Sequence, residues 1–590
     1  MRNAIKIIGL LIFPFLLLGC EKDHEVNALS VSKERIDIPA DGGTASFTLE
    51  TNASSWTISN PASDWITLPV SEGTQRSAEI TLMVDSKSLT TRRDTLTITA
   101  GSAKPVYVVV SQASSQYIYT LTSDKTEIAF EKSGNETTVQ ITTDAPSWSL
   151  QTDADWVEVS NTSGEKGTST ITITALENPN VNRTGKLTLT AESAPTIEIA
   201  ISQVGNRYPS YNIDPIAADA SGMSSTATEL AAKIKVGWNI GNTLEAIGGE
   251  TAWGNPLVTD NLIKAVKQSG FNAIRIPASW NQHMENAQTA KIKESWLARV
   301  KQVVQYCVDN EMIAILNIHW DGGWLENNVT TEKQDEVNDK QKAFWEQIAT
   351  YLRDFDEHLI FASANEPHVE NAAQMAVLNS YHQTFVDAVR STGGRNSHRV
   401  LVVQGPSTDV EKTNNLMNTL PTDEIANKMM AEVHYYTPYQ FCLMNEDAEW
   451  GKMAYFWGED FRSTEHPDRN ATWGEEEELL LLMDLMKTQF VDQGIPVILG
   501  EYGAIRRSTL DGAPLTGDEL LLHLDSRAYF LKYLTKHARA RGLIPFYWDA
   551  GFRGDNTFTL FDRRNNTEYD QQALDAVMEG AEQGYSLFND

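Results

Sequence analysis

The C-terminal part of this chain contains eight short apolar runs that alternate with longer, helix-like segments. This alternation is typical of a parallel sheet whose strands are joined by helices, and eight repeats predict a closed (β/α)8 TIM barrel. The predicted strands are residues 235–240, 273–277, 313–319, 360–365, 400–404, 430–436, 497–501 and 544–548. Because all strands of such a barrel run in one direction, their C-terminal ends meet at one rim.

Nearly every predicted strand ends in polar or aromatic side chains, and the catalytic residues of a barrel come from this rim. Those side chains are Asn239, Asn242, Arg275, His319, Asn365, Glu366, His434, Tyr436, Glu501, Trp548 and Asp549. Any single one of them could be an ordinary polar group at a strand end. Together they predict an active site.

Two of these side chains are carboxylic acids, Glu366 in IFASANEP (360–367) and Glu501 in PVILGEYG (496–503). Two carboxylates at one rim suggest glycoside hydrolysis, in which one group protonates the leaving oxygen and the other attacks or stabilises the sugar. Enzymes that retain the anomeric configuration keep the two groups about 5 Å apart. Residues so distant in sequence can approach this closely only if the fold returns the chain to the same rim.

This region contains six longer motifs, GWNIGNTLEA (237–246), FNAIRIPASW (271–280), LNIHWDGGW (316–324), SANEP (363–367), VHYYTP (433–438) and ILGEYGA (498–504). In this order they resemble the motifs of glycoside hydrolase family 5, and the nearest similarity is to its subfamily 4. The resemblance implies that Glu366 is the general acid/base and Glu501 the nucleophile of a two-step retaining mechanism. Glu366 is expected to keep its proton at the working pH, and Glu501 is expected to be ionised.

The resemblance also implies roles for residues around the pair. Arg275 and Tyr436 would hold the nucleophile and lower its pKa, and Asn365 would bond the sugar 2-hydroxyl. Two histidines would order the site, and Trp548 would lie under the sugar. The substrate-binding set is therefore predicted to be Arg275, His319, Asn365, His434, Tyr436, Trp548, Asn239, Trp253 and Trp324.

The chain departs from the pattern at Trp320, where many relatives carry a second histidine directly after the first. Trp320, Trp253 and Trp324 could each face a sugar, because the apolar faces of pyranose rings stack on indoles. Core packing is the alternative for each of them.

A metal site is a competing use of the acidic and histidine side chains at the rim. However, no pair of candidate ligands has the helical spacing of an HExxH motif. The sequence therefore predicts neither a metal nor another cofactor.

The N-terminus resembles a bacterial lipoprotein signal peptide. Arg2 and Lys6 precede an apolar stretch, 7–18, that is too short to span a bilayer comfortably and ends just before Cys20. The prediction is a cleaved signal at 1–19, a lipid on Cys20 and an acidic tether at 20–27. Such a tether resembles the export signal of outer-surface lipoproteins, so a lipid-anchored outer-membrane protein facing the cell exterior is expected, with the periplasmic face as the alternative.

An internal repeat lies between this anchor and the barrel. SSWTISNPASDWITL (54–68) returns as PSWSLQTDADWVEV (146–159), within alternating β-branched segments. Residues 28–114 and 117–205 are therefore predicted to be two immunoglobulin-like β-sandwiches, and they resemble BACON modules. A linker at 206–222 and the barrel domain at 223–590 would follow. The repeated tryptophans, Trp56, Trp65, Trp148 and Trp156, are expected to be core residues rather than a sugar-binding surface.

The composition limits the classes of molecule that this protein is expected to bind. The formal net charge of −31 argues against nucleic acid or polyanionic substrates, whereas a neutral glycan has no electrostatic penalty. The only expected membrane contact is the N-terminal lipid, and a monomer is expected. Cys307 and Cys442 are the other two cysteines, and they form no disulfide framework.

The substrate is less constrained, because enzymes acting on cellulose-type, mixed-linkage, xyloglucan and mannan backbones share this catalytic set. Similarity to subfamily 4 favours β-1,4-glucans, with xyloglucan first. The long segment 438–492, with Trp450, Trp457 and Trp473, is expected to extend the cleft. A non-catalytic glycan-binding lipoprotein and a purely structural surface protein remain alternatives of another class.

Overall fold

The structure is a computed structural model that describes residues 26–86, 90–115, 117–178 and 180–589. The predicted signal peptide and its lipidation site, Cys20, lie outside these residues. Among the described helices, none combines the length and the apolar character needed to cross a membrane.

The first repeat is a sandwich of two sheets. Its four-stranded sheet contains Leu29–Val31, Gly43–Thr51, Ser77–Val84 and Ile66–Thr67, and its five-stranded sheet contains Arg35–Ile38, Val106–Gln112, Arg92–Thr99, Trp56–Ser59 and Glu72–Gly73. Along Ser77–Val84 the buried Ile80 and Leu82 alternate with exposed residues, because successive side chains of a strand point to opposite faces. The predicted sandwich is confirmed for this repeat.

The second repeat contains a longer, seven-stranded sheet. Its strands are Leu121–Ser123, Glu127–Phe130, Asn135–Thr152, Val157–Val159, Ser163–Ala175, Arg183–Ala191 and Ile197–Gln203. Asn135–Thr152 covers in one strand the stretch that the first repeat divides between Gly43–Thr51 and Trp56–Ser59. The buried core includes Val139, Ile173 and Leu189.

The repeated tryptophans belong to these cores. Trp56, Trp65 and Trp148 are buried, and Trp156 is half-buried. A Cβ atom at Gly73 would lie 2.5 Å from the ring of Trp56, and one at Gly164 would lie 2.5 Å from the ring of Trp148. Burial confirms the prediction of core residues for Trp56, Trp65 and Trp148, and the same packing against a glycine recurs at Trp56 and Trp148.

The eight predicted strands form the closed parallel barrel that the sequence predicted. In order around the barrel they are β1 (Gly237–Ile240), β2 (Ala273–Ile276), β3 (Ile313–Asn317), β4 (Leu359–Ala362), β5 (Leu401–Gln404), β6 (Met429–Tyr435), β7 (Val497–Tyr502) and β8 (Leu543–Asp549). β8 pairs with β1, with Gly237 opposite Phe546, and this pairing closes the ring.

Both faces of the barrel strands are buried, which explains why they read as continuous apolar runs. Ile315, Val402 and Ile498 belong to the cluster that fills the barrel interior, whereas Leu316, Val403 and Leu499 belong to the core outside it. The helices are α1 (Ala227–Lys233), α2 (Asp260–Gln268), α3 (Glu294–Asp309), α4 (Gln334–Leu352), α5 (Ala372–Ser391), α6 (Val410–Leu416), α7 (Tyr439–Cys442), α8 (Glu476–Gln489), α9 (Gly517–Ala540) and α10 (Gln571–Asn589).

The segment predicted as a linker, 206–222, packs against the barrel domain for much of its length. The backbone N–H of Tyr211 donates to Glu346 at 2.6 Å, and the Tyr211 hydroxyl donates to the carbonyl of Thr289 at 2.8 Å. Further along, Ile216–Ala218 pairs with Gly393–Gly394 as a short parallel ladder. These bonds make the segment part of the barrel domain.

Candidate active site

The two carboxylic acids at the predicted rim come together. Glu501 lies near the end of β7, and Glu366 lies in the loop that follows β4. An oxygen of each carboxylate and a ring nitrogen of His434 all lie within 4.8 Å of one another. Parallel strands deliver both acids to the same rim, although 135 positions separate them in sequence.

A bulge in β7 turns Glu501 into the barrel mouth. Val433 of β6 pairs with Leu499, but the next residue, His434, pairs with Glu501, so that Gly500 is skipped. Side chains alternate between the two faces of a strand, and Ile498 points inward, so a regular strand would turn Gly500 inward and Glu501 outward. The extra residue reverses this register and turns the carboxylate toward His434.

Glu501 is buried and receives two hydrogen bonds. Arg275, which is fully buried on β2, donates through Nη1 to Oε1 at 2.8 Å, and the Tyr436 hydroxyl donates to Oε2 at 3.1 Å. Asn239 accepts from Nη1 of Arg275 at 3.0 Å and donates to the carbonyl of Gly500 at 2.9 Å. Asn239 therefore lies below the cleft, where its amide orients the guanidinium and the bulge rather than meeting solvent.

Glu366 is the more exposed of the two acids, with 44% of its side chain accessible. Its Oε1 lies 2.7 Å from Nδ1 of His434, whose Nε2 lies 3.2 Å from Oε1 of the buried Glu432. The neighbouring Asn365 is buried and accepts from Nη2 of Arg275 at 2.8 Å. The guanidinium of Arg275 therefore holds Asn239 of β1, Glu501 of β7 and Asn365, which follows β4.

The pKa shifts of His434 and Glu366 favour a proton on the imidazole. Burial alone would lower the pKa of His434, but the charge of Glu501 and hydrogen bonds to Glu366 and Glu432 raise it to about 10. The part of Glu366 that is withdrawn from water raises its pKa, yet the hydrogen bond and charge of His434 outweigh this effect, and the pKa of Glu366 is lowered. Burial raises the pKa of Glu501 against the opposing charges of His434 and Arg275.

The expected order of the two carboxylate pKa values is therefore wrong for this structure. The sequence led us to expect the raised value at Glu366 and the lowered value at Glu501. The reversal has a physical cause, because Glu501 is the more deeply buried acid, whereas Glu366 has a protonated imidazole as its direct partner.

His319 and Trp548 form another part of the rim. Their rings are stacked with centroids 5.8 Å apart and an interplanar angle of 8°. Burial, together with the charge of Arg275, places the pKa of His319 well below its usual value, so this histidine is neutral. Gly241 leaves room for the indole, since a Cβ there would lie 2.8 Å from the Trp548 ring.

The remaining predicted aromatic residues differ in exposure. Trp253 is 40% exposed and Trp320 is 44% exposed, so both can meet a ligand. Trp324 is half-buried, packed edge-to-face against Phe344 and covered by Lys340 at 5.1 Å. Its contacts match the core-packing alternative.

Two buried acids of the site, Glu432 and Glu326, were not predicted from the sequence. Glu432 follows apolar residues within β6, and an acid inside a buried strand is itself a signal that a partner charge lies nearby. Glu326 accepts the backbone N–H of Glu366 at 2.7 Å, and burial raises its pKa to about 7. No comparable pattern marks Glu326, because it begins a short 3-10 helix, Glu326–Asn328, in the segment after β3.

Glu366, His434 and Glu501 are close enough for their side-chain atoms to surround one metal ion. However, both ring nitrogens of His434 already lie against carboxylates, and Arg275 donates to Glu501. Two positive charges therefore already balance the acids. The cluster is better suited to ion pairing than to binding a further cation.

The fold agrees with comparisons to known families. Residues 239–554 match the cellulase family, glycosyl hydrolase family 5. Residues 28–115 match the viral BACON domain, and residues 147–203 match the BACON family. The chain belongs to glycosyl hydrolase family 5, and it is a glycoside hydrolase that carries BACON domains. The predicted fold class and enzyme class are confirmed.

Individual relatives are known in more detail. A xyloglucan-specific endo-β-1,4-glucanase of Bacteroides ovatus is 36% identical over 476 residues, which are 77% of this chain and 89% of that protein. The structure of a Bacteroides ovatus GH5 xyloglucanase in complex with a XXXG heptasaccharide matches with a TM-score of 0.58 at 34% identity, over 78% of this chain and 100% of that one. A GH5-4 broad specificity endoglucanase from Bacteroides salanitronis matches with a TM-score of 0.54 at 34% identity, over 62% and 98%.

Proposed function

We propose that this protein is a retaining, endo-acting β-1,4-glucanase of subfamily 4, and that its preferred substrate is xyloglucan. Glu501 is the nucleophile and Glu366 is the general acid/base. The observation that carries this proposal is the approach of the two carboxylates, whose oxygens lie within 4.8 Å. This spacing suits direct attack by one carboxylate, because an inverting enzyme needs a wider gap to admit water between acid and sugar.

In the first step a carboxylate oxygen of Glu501 attacks the anomeric carbon. The bond from that carbon to the leaving oxygen breaks, and the leaving oxygen takes a proton from Glu366. Hydrogen bonds from Arg275 and Tyr436 orient the attacking carboxylate. The product is a glycosyl ester of Glu501 and a shortened chain with a new end.

The proton reaches Glu366 from His434. A sugar that covers the exposed carboxylate removes water from it, and desolvation favours the neutral form of an acid. Nδ1 of His434 lies 2.7 Å from the carboxylate oxygen, so the proton has one short hydrogen bond to cross. This path reconciles the lowered pKa of Glu366 with its role as an acid.

In the second step Glu366, now ionised, takes a proton from a water molecule. The water oxygen attacks the anomeric carbon from the side that the leaving group occupied, and the bond to Glu501 breaks. The two inversions restore the original configuration at the anomeric carbon. One water molecule is consumed for each bond that is cleaved.

Other rim residues would hold the sugar at the reacting position. Trp548 would lie under the ring with His319 stacked behind it, and Asn365 would bond the 2-hydroxyl. Trp253 and Trp320 present exposed indoles on which further rings of the chain could stack.

The leaving-group side of the cleft is large enough for a branched chain. A cavity of about 310 Å³ beside Glu366 is lined by Tyr439 and Trp473, and a second cavity of about 340 Å³ is lined by Trp450 and also by Trp473. Because Glu366 protonates the leaving oxygen, the first cavity would receive the leaving chain, and the second could receive a branch. These two cavities and the xyloglucan-specific relatives support xyloglucan over an unbranched glucan.

Initial rates on xyloglucan, mixed-linkage β-glucan, carboxymethylcellulose and glucomannan would test the substrate. Fastest release of large oligosaccharides from xyloglucan is expected. Faster cleavage of β-glucan, cellulose or mannan would show that the proposed substrate is wrong, and it would leave the proposed mechanism unchanged. No activity on any of the four would favour a non-catalytic glycan-binding protein.

The mechanism has a separate test. Glu501→Ala should abolish turnover and spare polymer binding, and added azide should restore some cleavage as a glycosyl azide. Wild-type rates in this variant would exclude Glu501 as the nucleophile.

We also propose that the protein is a monomer anchored in the outer membrane through a lipid on Cys20 and faces the cell exterior. The signal-like N-terminus and the acidic tether support this location. Radiolabelled palmitate should be incorporated into the wild type and not into Cys20→Ala. External protease should remove the protein from intact cells, and protection would favour the periplasmic face.

A further inference from the structure

Glu432 is a third acid of the site and lies one layer below the Glu366–Glu501 pair. It is fully buried on β6, two residues before His434. Its Oε1 lies 2.9 Å from Nε of Arg275 and 3.2 Å from Nε2 of His434. A single oxygen therefore contacts both cations of the site, and each of those cations contacts one of the two rim acids.

Neighbouring groups determine how this carboxylate is oriented. The backbone N–H of Ala364 donates to Oε1 of Gln404 at 2.8 Å, so the amide nitrogen of Gln404 faces Glu432 and donates to its Oε2 at 2.5 Å. Both oxygens of Glu432 therefore receive hydrogen bonds or ion pairs, which is the environment of an ionised carboxylate.

The bulge in β7 also leaves room for Glu432. A Cβ atom on Gly500 would lie 2.0 Å from Oε1 of Glu432, so no larger residue fits at this position. The same bulge turns Glu501 inward. One local backbone feature therefore places the proposed nucleophile and accommodates the acid beneath it.

Glu432 is the third acid of a site that holds two cations. The charged or titratable groups of the site are Arg275 from β2, His434 from β6 and Tyr436 directly after it, Glu501 from β7, His319 and Glu326 from the segment after β3, and Glu366 from the loop after β4. One oxygen of Glu432 lies against both Arg275 and His434, so its charge favours the protonated imidazole that supplies Glu366 with a proton.

We propose that Glu432 is a positioning residue of the reaction, which holds Arg275 against Glu501 and keeps His434 charged beside Glu366. The proposal rests on the proposed roles of Glu366 and Glu501. Glu432 itself does not contact substrate, since it is fully buried. It acts through the guanidinium and the imidazole.

Removing this charge has a predictable effect on the pH dependence. Glu432 is an anion that raises the pKa of both His434 and Glu366, the two groups that share the catalytic proton. Its loss would allow this pair to lose the shared proton at lower pH. Because the proposed acid must be protonated, the basic limb of activity would move toward lower pH.

The experiment measures kcat/KM of full-length wild type and of Glu432→Gln on two substrates, xyloglucan and dinitrophenyl β-cellobioside. The pH runs from 4 to 9, a range of about five units that covers the acidic and the basic limb of the pH profile. On xyloglucan, the basic limb of kcat/KM should move down by about one pH unit, which lowers the rate above that limb about tenfold. KM should change little. On the activated glycoside the loss should be smaller, because its leaving group needs no proton.

Glu245→Gln is the matched control, since Glu245 is a buried rim glutamate that accepts from backbone N–H groups of residues 242 and 243 rather than from Arg275 or His434. Glu245→Gln should leave the basic limb of the pH profile unchanged. If Glu432→Gln also leaves that limb unchanged, or lowers kcat/KM equally on both substrates at every pH, Glu432 only packs in the core and the proposal is wrong.

A second measurement does not depend on the folding of this variant. Nitrogen NMR of the wild-type imidazoles should find His434 protonated on both ring nitrogens at neutral pH, and a neutral His434 would overturn the proposal. Wild-type activity and azide rescue of Glu501→Ala are measured in parallel. Their failure would reject the proposed function, whereas failure of the Glu432 predictions alone would reject only this inference.

Discussion

Nδ1 of His434 lies 2.7 Å from Oε1 of Glu366, and the opposite nitrogen of the same ring lies 3.2 Å from Glu432. The imidazole therefore connects an exposed acid at the rim to a buried acid in the barrel. A proton on this ring is stabilised from both sides and remains one hydrogen bond away from the proposed acid/base.

Replacing Glu366 by alanine should affect natural and activated substrates differently. On xyloglucan kcat/KM should fall about 10²- to 10⁴-fold, because the leaving oxygen has lost its proton donor. On dinitrophenyl β-cellobioside the first step should be largely retained, since dinitrophenolate leaves without a proton. Burst kinetics with the activated substrate would check this, and equal losses on both substrates would contradict the acid role.

Gly500→Ala should disrupt the site without touching either rim carboxylate. The added methyl would meet Glu432 at 2.0 Å, so Glu432 or the bulge that aims Glu501 must move. A displacement of about 1 Å can cost about 100-fold in kcat. Gly451→Ala is the control, because the nearest atom to its Cβ would be 3.5 Å away. Wild-type kcat in Gly500→Ala would show that this packing is dispensable.

Glu326 should make stability depend on pH between its usual pKa of 4.5 and about 7. Its pKa is raised by burial, so the folded protein favours the neutral acid, and that stabilisation is complete below 4.5 and lost as the pH rises to about 7. Relative to Glu326→Gln, wild type should lose about 2 to 4 kcal/mol over this window.

Urea unfolding of both proteins at several pH values would measure the effect of Glu326. The exposed Glu424→Gln serves as the control and should follow the wild type. If the free energy of unfolding changes with pH in the same way in wild type and in Glu326→Gln, the pKa of Glu326 is not raised.

Trp473 should contribute to binding of the leaving chain. It lines both cavities on the Glu366 side of the cleft and is 44% exposed. In Trp473→Ala, KM for xyloglucan should rise about three- to tenfold through the loss of one stacking contact. Dinitrophenyl β-cellobioside has no sugar on that side, so its KM should be unchanged. A rise for both substrates would place the effect elsewhere in the site.

In the first BACON domain, Trp56→Ala should act on stability rather than on sugar binding. Trp56 is 1% exposed, and truncation of such a residue costs about 3 to 5 kcal/mol. Tyr107→Ala, at a position 55% exposed, should change stability little. Hydrogen exchange would report the local loss, and kcat/KM on soluble oligosaccharide should stay at the wild-type value. Lower glycan affinity with an intact fold would instead indicate a sugar-binding surface.

Much of the architecture could be predicted because the relevant signals are local. Parallel strands buried on both faces read as apolar runs, so all eight barrel strands were identified within a few residues of their ends. Glu366 follows one of these runs and Glu501 lies at the end of another, and the common direction of the strands brings both ends to one rim. The tryptophan repeat likewise predicted two similar β-sandwiches.

The sequence by itself thus determined the barrel, the two β-rich repeats and the pair of rim acids, because periodicity and strand direction are properties of the chain. Only the tertiary structure decided how the acids are charged and held. The bulge at Gly500, the burial of Glu501 and the contact of Glu432 with two cations depend on packing between strands far apart in sequence. Electrostatic interactions depend on distance in space and on exposure to water, and neither can be read from sequence spacing.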